Sequence, residues 1–135
     1  MTLIKSDIAE IKNSQEKVYS FLSNLNNFEK LMPEQVINWK STEDSCSFTI
    51  KGMTNLSMKI SEKVPYSKIN IIPGEKAPFH FSLECRLLKH SDSMTNAQII
   101  FNAELNAMME MLAGKPLQNF VNMLALKLKE LGDEL

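Results

Sequence analysis

Two late segments of the chain alternate almost strictly between apolar and polar residues, and a long amphipathic helix pattern follows them. In the first, Phe79, Phe81, Leu83, Cys85 and Leu87 fall on one phase, and His80, Ser82, Glu84 and Arg86 on the other. In the second, Ala97, Ile99, Phe101, Ala103 and Leu105 oppose Gln98, Asn102 and Glu104. Successive side chains of a strand point to opposite faces, so this spacing predicts a sheet with one apolar and one wetted face. The apolar face needs a cover. Leu117, Phe120, Val121, Leu124, Leu128 and Leu131 recur at helical spacing and supply one. Function is then expected in whatever fills the space between sheet and helix.

The rest of the chain fits around that frame. Residues 3–12 read as a strand whose faces the pattern does not assign. Asn13 with Glu16, or Ser14 alone, caps a helix whose apolar stripe is Val18, Phe21, Leu22 and Leu25. Phe28 and Leu31 suit a second short helix that Pro33 ends. From Gln35 the period switches to two. Strands are predicted around Val36–Trp39, Cys46–Ile50, Leu56–Ile60 and Ile69–Ile72, ahead of the two alternating ones. Connections this short join antiparallel neighbours, so the six strands between Gln35 and Leu105 form a meander. Ala107–Ala113 is helix-permissive with Asn106 as a cap. Gly114-Lys115-Pro116 then offers two outcomes, a helix that begins at Pro116 or one that kinks there.

Length and composition bound the class. At 135 residues the chain is expected to form one domain, spanning 1–135, with a core that needs no staples. A net charge of -1 provides no field to draw nucleic acid or anionic lipid. No apolar run approaches the ~20 residues of a membrane span, and residues 1–7 hold no secretory apolar segment, so the expected location is cytoplasmic, without integral membrane association. Cys46 and Cys85 are then reduced core residues.

Three stretches carry a family resemblance: Ser14-Gln15-Glu16-Lys17-Val18-Tyr19-Ser20-Phe21-Leu22 after the first strand, Phe28-Glu29-Lys30-Leu31-Met32-Pro33 before the second, and Lys115-Pro116-Leu117-Gln118-Asn119-Phe120 in the last helix. With the element order β-α-α-β6-α, the chain resembles the START-related, pollen-allergen-like superfamily (SRPBCC), in its small polyketide-cyclase-like branch. The resemblance implies an α+β helix-grip fold, a curved antiparallel sheet of about seven strands wrapped around the C-terminal helix. It also implies an apolar cavity between them, where many members bind lipids, sterols or aromatic molecules and some catalyse cyclisation. The glycine-rich loop of the plant allergen branch is missing, since the four glycines are scattered.

Chemistry is sparse. His80 falls on a wetted phase and His90 in a turn, so both are expected in solvent. Asp7 and Glu10, on opposite phases of the first strand, offer the one opening for an inward carboxylate. No nucleophile–base pair, metal-ligand spacing or phosphate loop is present, and no cofactor or metal is indicated. The inward phases, by contrast, carry no charge, so a guest held there must be mainly apolar. A single ring burying ~150 Å² gains roughly 4 kcal/mol at ~25 cal/mol per Å². Association costs of ~4–15 kcal/mol consume that, which points to larger guests such as acyl chains or polycycles.

The primary expectation is therefore binding, transport or sequestration of a hydrophobic, lipid-like or polycyclic small molecule, with binding favoured over catalysis. The expected wall is Phe48, Ile50, Met58, Phe79, Phe81, Leu83, Ile99 and Phe101. The expected lid and helix side are Met108, Met111, Leu112, Phe120 and Leu124, with access near Pro73–Pro78 and Gly114–Pro116. Two alternatives stay open: a cyclase or dehydratase using Asp7 or Glu10, and a solid-cored protein-interaction module with an exposed apolar patch at Trp39 or the methionine segment.

Overall fold

The computed structural model describes residues 2–51, 55–74 and 80–135. Phe79, the turn at Gly52 and most of the Pro73–Pro78 segment lie outside them. The order is β1 (Thr2–Lys5), β2 (Ala9–Ile11), α1 (Gln15–Leu22), a 3-10 helix (Leu25–Leu31), β3 (Val36–Ser41), β4 (Ser45–Ile50), β5 (Asn55–Val64), β6 (Lys68–Pro73), β7 (Phe81–Ser91), β8 (Met94–Ala103) and α2 (Ala107–Gly132). The strands form one antiparallel sheet in the order β1-β8-β7-β6-β5-β4-β3, with β2 also paired to β8. Strands β3 to β8 are the expected six-strand meander. This is the helix-grip arrangement.

The alternation sets the register. Leu83 lies across from Phe101, Cys85 from Ile99 and Leu87 from Ala97, so the inner faces of β7 and β8 match rung for rung. All six side chains are buried. The first strand, expected as one segment, is two. Between them Ser6 is buried and substitutes for the ladder: its hydroxyl accepts from the Ile99 N–H at 2.9 Å and donates to the Asp7 carbonyl at 2.8 Å. Its own N–H donates to the Ile99 carbonyl at 2.9 Å. A short hydroxyl thus satisfies backbone groups where the strand breaks.

Of the two possible caps for α1, Ser14 is the one used, accepting from the Lys17 N–H at 3.3 Å. Asn13 instead joins the start of α1 to the end of α2, its Nδ2 donating to the backbone oxygens of Gly132 and Leu135. The Leu25–Leu31 helix is tighter than an α-helix and buries Leu25, Phe28 and Leu31.

Helix α2 does not wait for Pro116. Asn106 caps it, accepting from the Met109 N–H at 2.8 Å, and Pro116 lies inside it. It packs on β1, β2, β8 and the 3-10 helix. At the opposite edge of the sheet, Val36 of β3 and Ile50 of β4 face the same helix across a groove. Both edges of the sheet therefore approach α2, which requires the sheet to curl around it. Among the described residues no helix is long and apolar enough to cross a membrane.

Candidate functional site

The groove lies between the β3–β4 edge and the N-terminal half of α2, and encloses about 610 Å³. Pro33, Gln35, Val36, Ile50 and Lys51 form the sheet side. Leu112, Pro116, Leu117, Asn119, Phe120 and Met123 form the helix side. The helix residues fall at i, i+4, i+5, i+7, i+8 and i+11 from Leu112, which is one broad face of an α-helix.

A bulge builds the sheet side. Val36 pairs with Ile50 and Ile37 with Thr49, then the register shifts before Lys40 meets Ser47. Asn38 sits in the shift with φ 57°, a left-handed conformation that asparagine tolerates better than most residues. The extra residue resets the phase, so Val36 and Trp39, three apart, both serve the inner face. Trp39 stacks on Phe48, with ring centroids 5.2 Å apart and planes 18° from parallel.

The expected site residues separate into three groups. Ile50, Leu112 and Phe120 line the groove. Phe48, Met58, Phe81, Leu83, Ile99, Phe101 and Leu124 are buried in the core and do not line it. Phe81 and Phe101 stack on each other at 5.2 Å, so an expected stretch of wall is packed against itself. Met108 and Met111 are 70% and 83% exposed and stand outside the groove. The reason is position along the helix. Because α2 starts at Ala107 and runs through Pro116, Met108 and Met111 lie ahead of Leu112, the first helix residue of the groove. Met108, nine residues before buried Leu117, is turned away from the core at about 100° per residue.

The pattern missed Pro33, Gln35, Val36, Lys51, Pro116, Leu117, Asn119 and Met123 as lining residues. Asn119 falls on the solvent phase of the helix pattern, and it is indeed exposed, at the groove's rim. Gln35 and Lys51 are exposed as well and make the other polar rim groups. Pro116 adds a polar group, since it has no N–H to give the Leu112 carbonyl.

The inward carboxylate is not there. Asp7 and Glu10 are both exposed. The Asp7 N–H is fixed by Asn122 Oδ1 at 3.1 Å, and Glu10 lies across from Asn96 on the convex phase of β8. The expected cyclase or dehydratase therefore lacks its carboxylate at either position. His80 and His90 are exposed. Among the described residues no group of three or more His, Cys, Asp or Glu is placed to hold a metal ion. Cys46 and Cys85 are free and buried, and burial pushes both thiols up to about 12. For Cys46 a hydrogen bond with the Met58 backbone opposes the shift, whereas for Cys85 the charge of Glu84 adds to it.

No protein-family model matches the chain. A comparison with curated proteins finds no match either. Solved structures do share its fold. A START superfamily protein of Mycobacterium smegmatis is 13% identical over 98% of this chain and 97% of its own, with a TM-score of 0.71. A point mutant of norcoclaurine synthase from Thalictrum flavum, in complex with a transition state analogue, is 10% identical over 98% and 94%, with a TM-score of 0.78. A protein of Thermus thermophilus is 14% identical over 96% and 95%, with a TM-score of 0.75. The fold is that of the START-related proteins.

Proposed function

We propose that this protein binds a hydrophobic small molecule, an acyl chain or polycycle, in the groove between the β3–β4 edge and α2, and so transports or sequesters it. The observation that carries the reading is the groove itself. At about 610 Å³ it falls within the ~300–1,000 Å³ typical of ligand sites, and its lining is mostly apolar. Polar groups gather at its rim, where Gln35, Lys51 and Asn119 suit a guest with an apolar body and a polar end toward water. The norcoclaurine synthase structure, which holds a transition state analogue, lends the fold a precedent for small-molecule binding.

Native mass spectrometry of gently purified protein is expected to show a bound lipid-like mass. Titration with dansyl-undecanoate or dehydroergosterol is expected to show saturable binding. Absence of both, with the fold intact by circular dichroism, overturns the reading.

One observation favours a second reading, a protein-contact role: Met108, Met111 and Leu112 form an exposed apolar group at the start of α2. Under it, Met111→Lys reduces self-association or partner binding while leaving probe affinity in the groove unchanged.

A further inference from the structure

Among the described residues, buried side-chain polar atoms without a hydrogen-bond partner are Trp39 Nε1, Asn96 Oδ1 and Asn102 Oδ1. The two asparagines occupy the convex phase of β8, across from Leu88 and Ser82 of β7. Trp39 alone is on the inner face, and its indole N–H is the only donor of the three. Buried donors are nearly always satisfied, and one left bare asks for an explanation.

Its position suggests one. The bulge at Asn38 places Trp39 on the same face as Val36, and its ring lies on Phe48. Val36 and Ile50 are the rung that walls the groove, so the Trp39–Phe48 pair is the next rung inward, about 7 Å away along the strands. Neither Trp39 nor Phe48 lines the groove, so a guest that lies against Val36 and Ile50 meets the indole by extending one rung past that lining.

We infer that the groove's ligand carries a hydrogen-bond acceptor, a carbonyl, ether or hydroxyl oxygen, at its buried end, and that Trp39 Nε1–H donates to it. Trp39 is then the residue that sets ligand selectivity, preferring an oxygenated guest to a hydrocarbon of equal shape. The inference rests on the groove reading and narrows it from apolar molecules in general to those with an oxygen at the inner end.

The chain has one tryptophan, so its indole gives a single cross-peak in a ¹H–¹⁵N correlation spectrum. The probes are 9-fluorenone and fluorene, which differ by a carbonyl in place of a methylene. Fluorenone is expected to move the indole proton downfield at saturation, and fluorene is not. Calorimetric titration of wild type and Trp39→Phe, which keeps an aromatic face on Phe48, provides a cycle. The ratio of the fluorene to the fluorenone dissociation constant is expected to fall about tenfold in the variant, the worth of one hydrogen bond at about 1.4 kcal/mol. If both probes bind and the indole proton responds to them alike, the Trp39 assignment is wrong and the groove reading survives. If neither binds the folded protein, the groove reading fails and takes this inference with it. The spectrum needs only wild-type protein, so the test holds even where Trp39→Phe does not fold.

Discussion

The same substitution at two glycines of α2 should have opposite signs. A Cβ built on Gly114 meets nothing within 4 Å. Since α2 is continuous from Ala107 to Gly132, Gly114 is an interior helical position, where Gly→Ala gains roughly 1 kcal/mol. At ~2.1 cal/mol/K per residue, 135 residues give an unfolding entropy of about 0.28 kcal/mol/K, so Gly114→Ala should raise Tm by about 3.5 °C. A Cβ on Gly132 falls 2.6 Å from Ile11 Cγ2 and 3.4 Å from its Cδ1. Carbon contacts are comfortable at ~3.5–4.0 Å, and Ile11 is fully buried with a χ1 that branching makes stiff. Overpacking of this kind costs ~1–3 kcal/mol, and a part of the helical gain offsets it. Gly132→Ala should therefore lose about 1–2 kcal/mol, a fall in Tm of about 3–7 °C. Differential scanning calorimetry of both variants reads the signs directly. A Tm for Gly114→Ala at or below wild type would mean that α2 is interrupted before Pro116, and the placement of Met108 and Met111 on α2 ahead of the groove would go with it.

Other consequences are equally direct. Phe101→Ala leaves a cavity against Phe81 and should cost ~3–5 kcal/mol in urea unfolding, whereas Lys129→Ala, which removes contacts to the Glu10 carbonyl and Asp133, should cost at most ~1 kcal/mol. Met123→Glu sets a charge into the groove lining and should weaken dansyl-undecanoate binding about tenfold or more, with little change in Tm because Met123 is partly in solvent. Both thiols should resist Ellman's reagent at pH 8 until the protein unfolds. The sign of their pH effect follows from the raised values: the unfolded chain sheds these protons above 9.0 while the folded one holds them to about 12. Stability carried by the neutral thiols is thus complete below pH 9 and declines across that window, measurable as a falling urea midpoint.

The fold was legible because its strongest signal is periodic. Alternation in Phe81–Leu87 and Ala97–Ala103 fixed which face is buried, and the Leu117–Leu131 spacing fixed the helix that covers it. The site was less legible, for reasons that belong to particular residues. Strand phase shows that Phe48, Phe81 and Phe101 face inward, but it does not show whether inward means against a guest or against one another, and Phe81 and Phe101 close on each other. Asn38 inserts a residue that the period-two pattern does not register, and this shift is what brings Trp39 to the inner face. The proline at 116 gives a breaking signal that tertiary packing on β1, β2 and β8 overrides, so the methionines ahead of it belong to α2 and follow its phase. Gln35, Lys51 and Asn119 carry no signal of their own. Only the approach of two elements distant in sequence makes them a rim.

The central claim is that an apolar guest sits where the β3–β4 edge meets α2. Methyl ¹H–¹³C spectra recorded during a fluorene titration test it most directly. The account predicts saturable shifts concentrated at Val36, Ile50, Leu112, Leu117 and Met123, with Met108, Met111 and Leu126 unmoved. Shifts centred on Met108, Met111 and Leu126, or none at any methyl with the protein folded, would contradict it.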